Sequence, residues 1–355
     1  MVKRVLLGAG ALVLVALIVI ILSCVRFDRS RDELAAAYAT GASQFVTLNG
    51  ANVHLRDEGN RDGPALVLLH GSNVSLQTWE HWVVELGGRF RIISVDLPGH
   101  GLTGPVPGDD YSRPAMVEFV HAVVQSRGLT KFALAGNSMG GGIAAAYAEK
   151  YGDELTALVL LNAAGIPREA ADKPVLAFRL MRMPVIGGIL RWFTPRSLVA
   201  KTLRESFADP SKVTDEMIDR YYELMLYEGN RAATIKRFSN LDDDAVLAAG
   251  LPKIQVPTLI LWGAQDRLIP VSYAKGFEEG IPGAKLIIYE NVGHIPMEEV
   301  AQQSASDVRD FLESAFAAAA TQGVPSDAED GVPGQMTVPP VKGKGAVEIA
   351  PLGAQ

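Results

Sequence analysis

The pentapeptide Gly136-Asn137-Ser138-Met139-Gly140 lies between an apolar run, residues 131–135, and a helix-like segment, residues 141–151. A strand that turns sharply into a helix around G-x-S-x-G leaves few folds open, because the turn forces strained backbone angles on its central serine. Glycine at both ends supplies room where a side chain would collide across the turn. The same geometry lifts the Ser138 hydroxyl clear of the sheet edge. It also aims the N–H groups and positive dipole end of the following helix at the place where an oxyanion would form. The pattern predicts a serine nucleophile. Its plain alternative is a small-residue turn that only packs a helix on a strand.

The flanking sequence predicts the sheet that such a turn needs. Residues 65–69, 90–95, 132–135, 157–161, 258–262 and 285–289 are short apolar runs separated by helix-like segments. Most are continuous rather than alternating, as in strands buried on both faces of a largely parallel sheet. Residues 44–48 and 53–57 flank Asn49-Gly50, a hairpin signal, and predict an antiparallel edge. The expected class is therefore α/β, with a mostly parallel central sheet and helices on both faces. In such a sheet the chemistry sits in loops beyond the carboxyl ends of the strands, so the loops after Leu69, Val95, Ala135, Trp262 and Tyr289 should converge. From residue 166 to 251 the strand rhythm stops, and Pro167, Pro174, Pro184, Pro195 and Pro210 punctuate helix-like segments. That stretch reads as a helical lid inserted into the core, which divides into residues 44–165 and 252–316. Phe178, Met181, Met183, Ile186, Leu190, Trp192 and Phe193 either line a pocket there or pack the lid onto the core.

Both ends stand apart from this core. Residues 5–25 form a run of 21 without a charged side chain, which matches the length needed to cross a bilayer. Residues 1–30 are accordingly expected to be a membrane anchor with its flank, and residues 31–43 a linker. A cleaved signal peptide and a buried core helix are the competing readings. Ile21-Leu22-Ser23-Cys24 loosely resembles a lipoprotein cleavage box, which would make Cys24 a lipidated N-terminus. Lys3 and Arg4 before the run oppose Arg26, Arg29 and Arg31 after it, so the charge bias leaves the orientation open. Residues 317–355 shift to Ala, Gly, Pro and Val without apolar periodicity and read as a disordered tail. A net charge of −7 and the lack of a basic stripe argue against a nucleic-acid partner and for a small substrate. The single cysteine rules out a disulfide within the chain and a Cys-based zinc site.

A serine hydroxyl needs a base within hydrogen-bond reach, itself oriented by a third group. Among the six histidines, His294 follows the last apolar run in Asn291-Val292-Gly293-His294 and is the expected base. Asp266, in Trp262-Gly263-Ala264-Gln265-Asp266, follows the preceding run and is the expected orienting carboxylate. Asp96, which also ends an apolar run, is the competing acid, but it precedes Ser138. The order Ser138, Asp266, His294 is that of one hydrolase fold. Position alone points to the backbone N–H groups of Ser72, in His70-Gly71-Ser72-Asn73, and of Met139 as the oxyanion donors.

From about residue 44 to 316 the chain resembles the α/β-hydrolase family, through HGSN, DLPGHG, GNSMGG, the Asp266 turn and NVGH taken in that order. The DLPGHG segment and the insertion look like the branch that contains esterases, lipases, carbon–carbon bond hydrolases, epoxide hydrolases and haloalkane dehalogenases. In the last two the nucleophile position is an aspartate, and Ser138 argues against both. The resemblance implies an α/β-hydrolase fold, an acyl-enzyme mechanism and no metal or organic cofactor. The leading expectation is a membrane-anchored serine hydrolase acting on an apolar carboxylic ester. Carbon–carbon cleavage beside a ketone with the same residues is the enzymatic alternative, and a non-catalytic binding protein on this scaffold is the third reading.

Overall fold

The computed structural model describes residues 25–167, 191–239 and 244–322, together with positions 15, 183, 188 and 189. Its centre is an eight-stranded sheet in the order β1-β2-β4-β3-β5-β6-β7-β8. The strands are β1 Ser43–Leu48, β2 Ala51–Gly59, β3 Ala65–Leu69, β4 Arg91–Val95, β5 Phe132–Asn137, β6 Leu155–Leu161, β7 Thr258–Gly263 and β8 Lys285–Tyr289. β1 and β2 form the antiparallel edge, β2 meets β4 antiparallel, and all other pairings are parallel. The edge hairpin turns at Asn49 and Gly50, whose φ values of 50° and 78° are the left-handed angles that a two-residue turn demands.

Residues on alternate sides of each strand feed two separate cores. Val67 and Leu69 pack with helices α3 (Arg113–Ser126), α4 (Met139–Tyr151) and α9 (Ser272–Gly280), through residues such as Val120, Tyr147 and Phe277. Leu66 and Leu68 pack on the opposite face with α2 (Glu80–Leu86) and α11 (Ala301–Gln322), through Trp82, Val308 and Leu312. Burial on both faces explains why the strands read as continuous apolar runs. Register then positions the site: Leu69 lies level with Gly136, Asn137 with Leu161, Leu161 with Leu261, and Gly263 with Tyr289. The loops that follow these residues therefore leave the sheet along one edge.

Between β6 and β7 the described part of the insertion forms helices α5 (Arg196–Ser206), α6 (Asp215–Met225), α7 (Asn230–Ser239) and α8 (Asp244–Gly250). Thr214 caps α6 by accepting from Met217 N at 3.2 Å, which satisfies one of the orphan donors of its first turn. Of the apolar positions singled out in the sequence, Phe178, Met181, Ile186 and Leu190 lie outside the described residues.

Two segments differ from expectation. Residues 31–43 are not a bare linker: α1 (Arg31–Tyr38) is capped by Ser30 and buries Leu34 against Leu102, Leu224 and Tyr227. One leucine in an alanine-rich octet leaves no readable period, so the docking was invisible in the pattern. The last helix, α11, continues past residue 316 to Gln322, because alanine, which carries no periodic signal, is the strongest helix former. The apolar run 5–25 lies outside the described residues except for Val15 and Val25, as do Cys24 and residues 323–355. Among the described residues no helix is long and apolar enough to cross a membrane.

Candidate active site

Ser138 occupies the turn from β5 into α4 with φ 54° and ψ −118°. A non-glycine residue in that region costs about 1–3 kcal/mol and persists only where its surroundings over-determine it. Here they do. Ser138 N donates to Leu161 O at 2.9 Å, while Gly142 N and Ala164 N donate to Ser138 O at 3.1 and 2.9 Å. A Cβ on Gly136 would stand 2.2 Å from Gly140 O, and one on Gly140 would stand 2.4 Å from Leu69 O. Both glycines are therefore required for the turn to close against β3.

Asp266 and His294 come together at the ends of β7 and β8. The imidazole Nδ1 of His294 lies 2.7 Å from Asp266 Oδ2. An ionised carboxylate only accepts, so Nδ1 carries the proton, and in the neutral ring Nε2 presents its lone pair. The carboxylate is itself held: Oδ1 accepts from Leu268 N at 2.8 Å and Ile269 N at 2.9 Å, and Oδ2 accepts from Asn162 Nδ2 at 2.7 Å. On the histidine side, His294 N donates to Ser206 O at 2.7 Å and Gly293 N donates to Glu299 Oε2 at 2.7 Å. Asn137, next to Ser138, donates its amide to His294 O at 3.0 Å and so ties the two loops together. Asp266 and His294 are buried, and Ser138 is half-buried. No hydrogen bond joins the Ser138 hydroxyl to the His294 ring in this structure, as is common where substrate has not tightened a site.

The proposed oxyanion donors flank this turn. Met139 begins α4, where the first N–H groups have no intrahelical acceptor. A Cβ on Gly71 would lie 3.2 Å from Ser138 Cβ, so the loop that carries Ser72 rests against Ser138. Helix α7 braces that loop. Thr234 Oγ1 donates to Asn73 Oδ1 at 3.2 Å, Arg237 donates to the Ser72 hydroxyl, and Asn230 Nδ2 donates to Gly101 O at 3.0 Å. Below, α6 is locked to the His294 segment, since Tyr221 OH and Arg220 Nη2 donate to Glu298 at 2.6 and 3.0 Å.

Asp96, the competing acid, forms its own pair. His54 Nδ1 stands 2.6 Å from Asp96 Oδ2, and both side chains are fully buried. Leu76 N and Leu102 N donate to the same carboxylate at 2.8 Å each, and His54 Nε2 is engaged by Ser43 Oγ at 2.9 Å. Burial on its own would raise the Asp96 pKa, but His54, His70 and the Leu102 amide outweigh it and hold the carboxyl below its ordinary value. The neighbouring His70 and His100 are pushed down by burial, His100 well below the ordinary imidazole value. His70 Nδ1 donates to Gly71 O at 2.7 Å while Nε2 accepts from Leu97 N at 3.0 Å, the pattern of a neutral ring.

Sequence reasoning missed Asn162, Glu299 and Arg237. Asn162 directly follows β6, beside the strand that leads to Asp266, and has φ 43°; a polar residue directly after an apolar strand was its only signal. Glu299 accepts from Gly293 N, Ala208 N and Asp209 N, and nothing local to it announces that role.

Residues 64–300 match the family model for the alpha/beta hydrolase fold. Lipase 3 of Moraxella sp. is 26% identical over 297 residues, covering 81% of this chain and 87% of that protein. A monoacylglycerol lipase of Xenopus laevis is 30% identical over 261 residues, covering 71% and 76%. The crystal structure of a membrane phospholipase A superposes with a TM-score of 0.63 at 26% identity, over 88% of this chain and 99% of that one. The chain belongs to the alpha/beta hydrolase family. Within it, the protein is a serine hydrolase of the lipase and esterase type.

Proposed function

We propose that the protein is a membrane-anchored hydrolase of apolar carboxylic esters that works through Ser138, His294 and Asp266. The observation that carries this reading is the Asp266–His294 hydrogen bond of 2.7 Å on a loop that Asn137 ties to the strained Ser138 turn. In the mechanism, His294 Nε2 takes the Ser138 proton as the hydroxyl attacks the ester carbonyl. The imidazolium formed is stabilised by Asp266, and the Ser72 and Met139 amides receive the oxyanion. His294 then protonates the leaving alkoxide. A water molecule, deprotonated by the same ring, hydrolyses the acyl-enzyme and regenerates Ser138.

The apolar run 5–25 supports the anchor. A deletion of residues 1–25 should release soluble, active enzyme, and full-length protein recovered in a detergent-free soluble fraction with its N-terminus intact would contradict it. An N-terminus that begins at Cys24 would instead establish lipidation. The triad is tested by an aryl ester assay on Ser138→Ala, His294→Ala and the double variant. Residues acting as one unit give strongly non-additive losses, so the double variant should be scarcely slower than either single one. Losses that multiply would sink the assignment. Faster turnover of a vinylogous diketo acid than of any ester in the series would move the assignment to carbon–carbon cleavage.

A further inference from the structure

The chain does not leave the end of its apolar run as a free tether. Arg26 N donates to Trp192 O at 2.8 Å, Arg29 N to Leu226 O at 2.7 Å, and Glu228 N to Arg29 O at 2.9 Å. Residues 26–29 thus run beside the insertion as added backbone, with Arg29 paired in parallel to Tyr227. Side chains fasten the strap. The buried Arg231 guanidinium donates to Asp28 Oδ1 at 2.6 Å and to Arg26 O at 2.7 Å, and Arg29 pairs with Glu223 at 2.7 Å. Beyond it, α1 buries Leu34 against Leu224 and Tyr227 of the same insertion.

This attachment fixes where the insertion stands relative to a bilayer that holds residues 5–25. One residue advances the chain by about 3.8 Å, and the headgroup layer is roughly 5–7 Å thick on each side. A span that ends at Val25 therefore leaves the Trp192 corner no length of chain with which to stand off from the membrane. The surface at that corner suits the location. Phe27 is 75% exposed and Ile189 54%. Phe27 meets the half-buried Trp192 ring edge-on at 6.2 Å, and the Arg191 guanidinium lies over the same ring at 4.8 Å. Aromatic rings with a polar edge settle at the headgroup level, and guanidinium matches lipid phosphate. Resting on the anchor reading above, we propose that the Phe27–Trp192 corner is seated in the interfacial layer of the bilayer.

Intrinsic tryptophan fluorescence tests this. Trp79, Trp82 and Trp262 are fully buried, so quenching from the lipid reports Trp192. Full-length protein is reconstituted into phosphatidylcholine vesicles whose lipids are brominated high on the acyl chains, floated on a density gradient, and compared with protein in unbrominated vesicles. The expected result is that bromine removes the share of emission contributed by Trp192, and that Trp192→Phe abolishes the difference. Floated protein whose emission ignores bromine overturns the interfacial seat while leaving the anchor standing. Quenching that survives in Trp192→Phe overturns it as well. Protein that does not float overturns the anchor and the seat together.

Discussion

Two aspartate–histidine pairs in this molecule are almost the same length, 2.7 Å for Asp266–His294 and 2.6 Å for Asp96–His54. Their surroundings separate them. In the Asp96 pair the second ring nitrogen is engaged by Ser43 on the antiparallel edge, and both side chains have no exposure at all. In the Asp266 pair the second nitrogen makes no hydrogen bond among the described residues, and the backbone of the histidine is tied to the residue before Ser138. A carboxylate that orients an imidazole is thus not by itself a catalytic feature. What distinguishes the two is whether the far nitrogen is already engaged by a side chain.

Exchanging the roles of the two pairs by mutation should expose this difference most strongly in turnover. His294→Ala is expected to lower kcat on an aryl ester by about 10³-fold or more in protein that remains folded. Loss of stability without loss of kcat would reverse the assignment. Asp266→Asn keeps the shape but favours the wrong tautomer and should cost on the order of 10²–10⁴-fold in kcat. The corresponding change in the buried pair, Asp96→Asn, should instead lower stability by about 1–3 kcal/mol, because the His54 ring and the Leu76 and Leu102 amides lose a buried carboxylate acceptor. Its folded fraction should retain most of the activity. If Asp96→Asn abolishes kcat and Asp266→Asn does not, the acid is Asp96.

The buried side also has a pH signature. His70 and His100 have folded pKa values below their unfolded ones, so the unfolded chain binds more protons below about pH 6.5. Stability should therefore rise with pH up to about 6.5 and fall as the solution is acidified below it. The slope contributed is at most about 1.4 kcal/mol per pH unit for each ring. Asp96, held low, adds a further loss only as pH falls through its own depressed pKa. Urea titrations across this range should show the slope, and His100→Gln should flatten it. A midpoint that does not move with pH would contradict the neutral-ring reading. The smallest expected effect concerns the substrate rather than the pairs. Each buried methylene contributes up to about 0.8 kcal/mol, so kcat/KM should rise by roughly tenfold for every two carbons added to a short acyl chain until the pocket is full. A flat response from acetyl to octanoyl esters would point to a small polar ester.

The sheet was legible because burial on both faces writes a strand as an unbroken apolar run, and β3, buried throughout, begins and ends where its run does. The positions of Ser138, Asp266 and His294 in the fold were legible for a related reason, since each follows a strand that the pattern already marked. What the sequence did not show depends on contacts between distant parts of the chain. Asn162 reaches Asp266 across 104 positions, Glu299 reaches Ala208 across 91, and Arg237 reaches Ser72 across 165. No local spacing records such pairings. The docking of α1 was hidden in the same way, because a single leucine meets partners from two remote segments.

Covalent labelling decides whether Ser138 is the nucleophile served by the Asp266–His294 pair. A fluorophosphonate reacts only with an activated serine, so labelling of the wild-type protein followed by peptide mapping by mass spectrometry tests it directly. The account predicts one adduct, on Ser138 of the peptide that contains Gly136-Asn137-Ser138-Met139-Gly140. It also predicts that the adduct is lost in His294→Ala but retained in folded His54→Ala. An adduct on another serine, or equal labelling in the wild type and His294→Ala, would contradict it.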